Sequence, residues 1–220
     1  MWTIKDGFLS DDEFPFFNLV TTKQLGDMKD ETNRTRLCSL TGTDPKRLVG
    51  AKQVHGGRAE PVSASDGGKF IEDTDALAAS EKGMSLAIFT ADCVPVLLGA
   101  EGKACAAAHA GWRGLMRGII PAAVKLLAEK FGVDPRGIYA AIGPHICSGC
   151  YEIGGEIRQA FGLAEHERTF SLEREAVRQL NNAGVRKISS SGRCTFHEAE
   201  LFFSHRKDKT TARIMSLARL

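Results

Sequence analysis

Four short apolar runs, at residues 84–90, 94–99, 103–109 and 137–142, each closed by glycine or charge, set the terms for how this chain can fold. A buried helix needs about 10–12 residues, so runs this brief fit buried strands. Helical period is clearest over residues 115–131. There Leu115, Ile119, Ala123, Leu127 and Phe131 recur every fourth residue and share a face. Pro121 lies inside that stretch, so the regular helix is expected to begin near Gly118, with the proline in its first turn, and to stop at Gly132. A second helix is expected over Gly155–Phe161. A third is expected with Ser171 as N-cap, Leu172, Ala176 and Leu180 on its inner face, and Asn181, Asn182 and Gly184 closing it. The first 35 residues carry less pattern. Phe14, Phe16, Phe17, Leu19 and Val20 predict an early strand, followed by a polar loop at Gly26 and Asp27. Strands followed by helices, with no linker and no internal repeat, predict one mixed α/β domain over residues 1–220.

Charge narrows the partners. Lysine and arginine number 29 against 27 acidic residues, and the basic ones are scattered, so no nucleic-acid footprint is present. Met1 to Asp6 lack the apolar core of a secretory signal, and no run approaches the roughly 20 apolar residues that span a bilayer. A cytoplasmic location is therefore expected, with neither nucleic acid nor membrane as partner and the six cysteines reduced.

Three segments place reactive side chains among small residues at the ends of the apolar runs: Gln53-Val54-His55-Gly56, Thr90-Ala91-Asp92-Cys93 and His109-Ala110-Gly111-Trp112-Arg113-Gly114. Pro95, just after Cys93, is expected to interrupt regular pairing. Two imidazoles and a thiolate suit zinc, which accepts N and S donors and, in catalytic sites, keeps one position open for water. Water held there becomes a nucleophile near neutral pH. The spacing matches no local metal motif, so a packed cysteine and two hydrogen-bonded histidines stand as the alternative.

Read together, these segments resemble the laccase-domain family, named for polyphenol oxidation but described as zinc-dependent purine nucleoside phosphorylases with adenosine deaminase activity. The likeness runs from about Asn33 to the C-terminus. It is carried also by Asn33-Arg34, Asp73-Thr74-Asp75-Ala76, Val94-Pro95-Val96-Leu97-Leu98 and Ile142-Gly143-Pro144. Tyr151-Glu152-Ile153-Gly154, Cys194-Thr195 and Leu201-Phe202-Phe203-Ser204-His205-Arg206 complete it. It implies a layered α/β/β/α sandwich with mixed sheets and a catalytic zinc on His55, Cys93 and His109. The implied small-molecule partners are purine nucleosides and phosphate. Residues 1–32 depart from the family: Lys23 stands in the region where an arginine is expected, and lysine offers an anion a point charge instead of a planar fork. Thr210-Thr211-Ala212-Arg213 replaces a Thr-Gly-Arg turn.

Around that centre, Asp92 is a candidate catalytic residue, orienting a ligand or accepting from a purine, with loop capping as the alternative. Arg34 and Arg113 are candidates for holding phosphate or ribose, because arginine gives oxyanions two parallel hydrogen bonds; a helix-capping surface role is the alternative for Arg113. Gln53 is a candidate for reading a base edge, or a core-rim glutamine. The lone pair Cys147 and Cys150 is expected to line the pocket through the Gly143-Pro144 turn, ahead of a redox role. His145 is expected near the site, His166, His197 and His205 at the periphery, and Cys38, Cys105 and Cys194 in the core.

Two functions follow. The first is phosphorolysis of purine nucleosides with adenosine deamination at the same zinc. The second is a cysteine hydrolase or amidase acting in cell-wall precursor editing, with Cys93 as nucleophile and His109 as base; a dyad leaves His55 without a task. Copper can enter the same N,N,S set adventitiously. Laccase chemistry is not expected, since four-copper oxidases use more than the six histidines present and the His-Cys-His clusters are missing.

Overall fold

A computed structural model describes every residue from Met1 to Leu220. Its strands are β1 (Trp2–Lys5), β2 (Phe8–Asp11), β3 (Phe17–Thr21), β4 (Leu48–Ala51), β5 (Ala59–Pro61), β6 (Phe70–Ile71), β7 (Ala76–Ala79), β8 (Ser85–Thr90), β9 (Val94–Ala100), β10 (Ala104–Ala110), β11 (Tyr139–Ile142), β12 (Lys187–Ser190) and β13 (Ile214–Arg219). Its helices are α1 (Glu31–Thr41), α2 (Trp112–Met116), α3 (Ile119–Phe131), α4 (Gly155–Phe161), α5 (Leu172–Asn182) and α6 (His205–Asp208). One sheet runs β1-β2-β3-β13-β8-β4-β6 and the other β12-β11-β9-β10-β7-β5. Both are mixed: β4 lies parallel to β6 and β8, β11 to β12, and β5 to β7, while the remaining neighbours are antiparallel.

Period-two alternation sorts the side chains into layers. Val94, Val96, Leu98, Ala104, Ala106 and Ala108 face one way, onto Ile119, Ala123, Leu127 and Leu180 of the helices. Leu97, Cys105, Ala107 and Ala141 face the other way, onto Val49, Leu86 and Ile88 of the second sheet. The far side of that sheet puts Leu19, Ala87, Met215 and Leu217 against Leu37 of α1. The result is the expected α/β/β/α sandwich. Truncating Leu97, 1% exposed between the sheets, would cost about 2–5 kcal/mol.

The four apolar runs form β8 to β11, within a residue or two of their expected ends. α3 starts after Gly118 (φ 75°), carries Pro121 in its first turn and ends at Gly132 (φ 63°). Leu115 lies in the separate helix α2 instead. In α5, Ser171 accepts from Arg174 N, as an N-cap should. Two expectations are corrected. Phe14 and Phe16 precede the early strand, which begins at Phe17, and β1 and β2 were not legible in a stretch of mixed polar and apolar residues. Pro95 does not interrupt pairing. It lies opposite His109 at the second position of β9, and its carbonyl accepts from Gly143 N just past the end of β11, so its missing N–H deprives no strand.

Topology already gathers the chemistry. The connections β4→β5, β6→β7 and β8→β9 each cross from the seven-stranded sheet to the six-stranded one. They carry His55, Asp75 and Cys93, and β10 presents His109 near its end.

Candidate active site

Asp75 is the residue on which the site is built. Buried at the start of β7, its carboxylate accepts from three consecutive backbone N–H groups: Val54 (3.1 Å), His55 (3.0 Å) and Gly56 (2.7 Å). It also accepts from His109 Nδ1 at 2.8 Å. The three backbone bonds hold His55 at φ 58°, an unfavourable conformation for a side-chain-bearing residue, and Arg117 adds a bond to the His55 carbonyl. The fourth bond commits the Nδ1 proton to Asp75, so Nε2 is the nitrogen left to face the donor cluster. A buried carboxylate is costly unless its lone pairs are filled, and here they are: burial would raise the Asp75 pKa, but His109 and the Gly56 N–H lower it.

His55, Cys93 and His109 converge, their donor atoms within 4.8 Å of one another. Cys93 Sγ lies 3.9 Å from His55 Nε2, and the two imidazoles stand edge to face with centroids 4.7 Å apart. Gly111 is required by this crowding: a Cβ there would fall 2.9 Å from Cys93 Sγ and 3.0 Å from His55 Cδ2. Burial works against charge on both Cys93 and His109. Their mutual attraction outweighs it, pulling the thiol below its ordinary range and, with the bond to Asp75, raising the imidazole. A thiolate and two imidazoles so placed are a donor set that fits zinc, with one position left facing the cleft.

That cleft encloses about 680 Å³. Lys29, Arg34, Lys52, Arg113, Arg206 and Arg213 line it against a single carboxylate, Asp92, and Phe70, Phe89, Trp112 and Tyr151 supply aromatic surface. Cationic walls favour an anion, and ring faces favour a flat heterocycle. Burial, reinforced by the charge on Cys93, pushes the Tyr151 phenol up to about 12, so it stays a donor at neutral pH.

The remaining candidates divide. Arg34 and Arg113 border the cleft. Arg34 Nη1 donates to the Met28 and Lys29 carbonyls with its guanidinium over Phe70, and Arg113 pairs with Glu156 and stacks on Trp112. Gln53 also lines the cleft; it donates to Phe89 O and accepts from Phe89 N, extending the ladder beyond β4, as a core-rim glutamine does. Asp92, at φ 89°, makes no bond to a donor of the centre. Its carboxylate accepts from Thr195 Oγ1, Ser204 Oγ and Arg206 N at 2.6–2.7 Å, anchoring the segment that brings Arg206 and His205 to the cleft. Lys23 lies outside the cleft, donating to Ala199 O.

His145 turns away from the site, toward Glu173, whereas His205, expected at the periphery, borders the cleft. Cys147 and Cys150 do not line the pocket. They meet Cys194 and His197, expected in the core and at the periphery, in a separate cluster. Asp75, Tyr151, Arg206 and Arg213 were not assigned roles from sequence. An aspartate directly before the small, apolar β7 was the one available signal, since a carboxylate at the mouth of a buried strand must find donors.

The family model described as multi-copper polyphenol oxidoreductase laccase matches residues 1–220, including the divergent first 32. A protein of Streptomyces coelicolor named purine nucleoside phosphorylase is 40% identical over 193 residues, 83% of this chain and 78% of that one. The Escherichia coli protein named purine nucleoside phosphorylase YfiH is 36% identical over 217 residues, 92% of this chain and 86% of its own. Among solved structures, a Bacillus licheniformis hypothetical protein YfiH superposes with a TM-score of 0.92 at 27% identity, covering 100% of this chain and 98% of that one. The shared fold, the unbroken match and the level of identity lead to one conclusion: the chain belongs to the laccase-like YfiH family.

Proposed function

We propose that this chain catalyses phosphorolysis of purine nucleosides, with adenosine, inosine or guanosine as substrate, and that it deaminates adenosine at the same zinc-dependent centre. The observation that carries the reading is the convergence of His55, Cys93 and His109 at a cleft walled by cations and aromatic rings. The names of the relatives support the phosphorylase part. His55, Cys93 and His109 would hold the zinc, which when bound would supply Lewis acidity for attack of water at purine C6, with ammonia leaving.

The chain's own groups do the rest. Asp75 holds His55 and His109 in register. The cations of Arg34, Arg206 and Arg213 gather phosphate, and Trp112 and Tyr151 offer faces and a phenol to the base. In phosphorolysis the C1′–N9 bond breaks with its electron pair leaving on the purine, a hydrogen phosphate oxygen bonds to C1′, and the proton that phosphate gives up ends on the purine, giving free base and ribose 1-phosphate. The whole of residues 1–220 acts as one catalytic unit, and its six unpaired cysteines suit the cytoplasm.

The test is metal analysis with a nucleoside panel, with and without phosphate, on wild type and Cys93→Ala. Wild type should release hypoxanthine from inosine only when phosphate and the centre's zinc are present. Full turnover by protein freed of metal would overturn the reading. Alkylation distinguishes the cysteine-hydrolase alternative: a zinc-held thiolate reacts mainly after chelation, a free nucleophile equally before and after.

A further inference from the structure

Away from the cleft, two loops meet at the surface. The loop after β11 carries Cys147-Ser148-Gly149-Cys150, and the segment after β12 carries Cys194-Thr195-Phe196-His197. Each segment offers two donors separated by two residues. That is the local spacing with which structural zinc sites are built, Cys-x2-Cys on one segment and Cys-x2-His on the other.

The fold brings the two halves into contact. His145 and Cys194 form a parallel bridge, with His145 N donating to Arg193 O and Thr195 N donating to His145 O. Cys147 N donates to Cys194 Sγ at 3.3 Å, so one half already solvates the sulfur of the other. Cys150 Sγ lies 3.1 Å from His197 Nε2, and the four donor atoms are all within 4.8 Å of one another. A tetrahedral zinc with Zn–S near 2.3 Å and Zn–N near 2.0–2.1 Å sets its donors roughly 3.5–3.8 Å apart. Seating an ion would close the widest gap by about 1 Å and open the Cys150–His197 contact by about 0.4 Å. All six cysteines are free, so no disulfide claims these sulfurs.

We infer that Cys147, Cys150, Cys194 and His197 form a second metal site, a closed structural one that takes zinc. With four protein ligands it has no position for substrate or water, and its role is to clamp two loops together. Both loops serve the cleft. Tyr151 follows Cys150 directly. Thr195 follows Cys194 and donates to Asp92, whose other partners fix Ser204 and Arg206. The ion would hold that wall of the cleft in place without touching the substrate. A redox pair of Cys147 and Cys150 would leave the convergence of Cys194 and His197 on the same point without a purpose.

This inference does not depend on the proposed function, and the experiment separates the two. Zinc is counted on folded, full-length wild type, Cys93→Ala and His197→Ala, purified under reducing conditions. Wild type should hold about two ions, and each variant about one. His197→Cys should keep the ion that His197→Ala loses, because thiolate replaces imidazole in such sites. Should His197→Ala fold poorly, cobalt(II) bound to Cys93→Ala decides alone. Thiolate-to-cobalt charge transfer with intense tetrahedral d–d bands is expected, and it should vanish in Cys93→Ala/Cys194→Ser. Folded Cys93→Ala that binds neither zinc nor cobalt would overturn the inference. So would a Cys147–Cys150 disulfide, seen as a mass deficit of two hydrogens in protein purified without reductant and binding no metal. If wild type and Cys93→Ala both hold one ion, the second site stands and it is the first that fails.

Discussion

The two donor clusters draw on the same side-chain chemistry and solve opposite problems. His55 and Cys93 come from two crossovers between the sheets and His109 from the end of β10; they are built around a buried carboxylate and open onto a cleft. Cys147, Cys150, Cys194 and His197 come from two short segments, are steadied by a backbone N–H on sulfur, and do not line that cleft. Three donors leave a metal reactive, whereas four make it a rivet. A centre built from separate crossovers also depends on the whole sandwich for its geometry, whereas one built from local pairs depends on a single loop contact.

The largest effect expected from this contrast is on turnover. Cys93→Ala should reduce phosphate-dependent base release to background. His197→Ala should lower it far less, through a looser Tyr151 and Arg206 wall, while lowering thermal stability. Steady-state rates beside a melting curve for each variant decide the matter. If folded His197→Ala is as inactive as Cys93→Ala, the division between a reacting site and a clamp is wrong.

The next effect isolates orientation. Asp75→Asn keeps the shape but loses the charge and at least one acceptor lone pair among four donors. Disturbing such a carboxylate–histidine contact costs about 10–100-fold in metal affinity or activity. Metal titrations should show that loss at the first centre and an unchanged second ion. Equal weakening of both ions would mean that Asp75 acts through global stability instead.

Two glycines offer a matched pair with a smaller effect. Gly111→Ala places a Cβ 2.9 Å from Cys93 Sγ and should cost about 1–3 kcal/mol by overpacking. Gly149→Ala, in the second cluster's loop, meets nothing within 4 Å and should stay within about 0.5 kcal/mol of wild type. Urea melts of both variants test this, and equal stability would show that the first centre yields more easily than its packing implies.

What the sequence made legible follows from the range of the interactions. Strands β8 to β11 and helix α3 were readable because alternation, helical period and flanking glycines are local. The first centre was legible through family likeness, since no spacing rule links His55 to Cys93. The bridge from Gln53 to the Phe89 backbone is not legible, because such an amide looks the same in sequence as one reaching for a base. Asp92 was seen as important, but its partners Thr195 and Ser204 lie more than a hundred residues away. The Cys147/Cys150 pair was read as isolated because its complement ends in histidine, and the likeness that picked out Cys194-Thr195 stopped short of His197. Partner choice across the fold is a tertiary fact, and these misses share that cause.

The smallest effect lies at the border of the two regions, where buried His145 turns away from the first centre and faces Glu173 at 3.5 Å. His145 beside it outweighs the opposing effect of burial and, with Ser190, holds the Glu173 carboxyl down at about 2. Its position in the first turn of α5 adds the favourable end of the helix dipole. A carboxylate whose pKa falls on folding stabilises the native state above its unfolded value, here 4.5, and loses that contribution as pH falls toward about 2. Glu173→Gln should therefore be less stable than wild type at neutral pH, with the difference shrinking across that acid window. Because Glu173 is about a third exposed, water screens the pair and the slope should be shallow. Paired urea melts of both proteins at several pH values resolve it, and curves that stay parallel from pH 4.5 down to about 2 would show that His145 is held by packing and the Gly143 carbonyl alone.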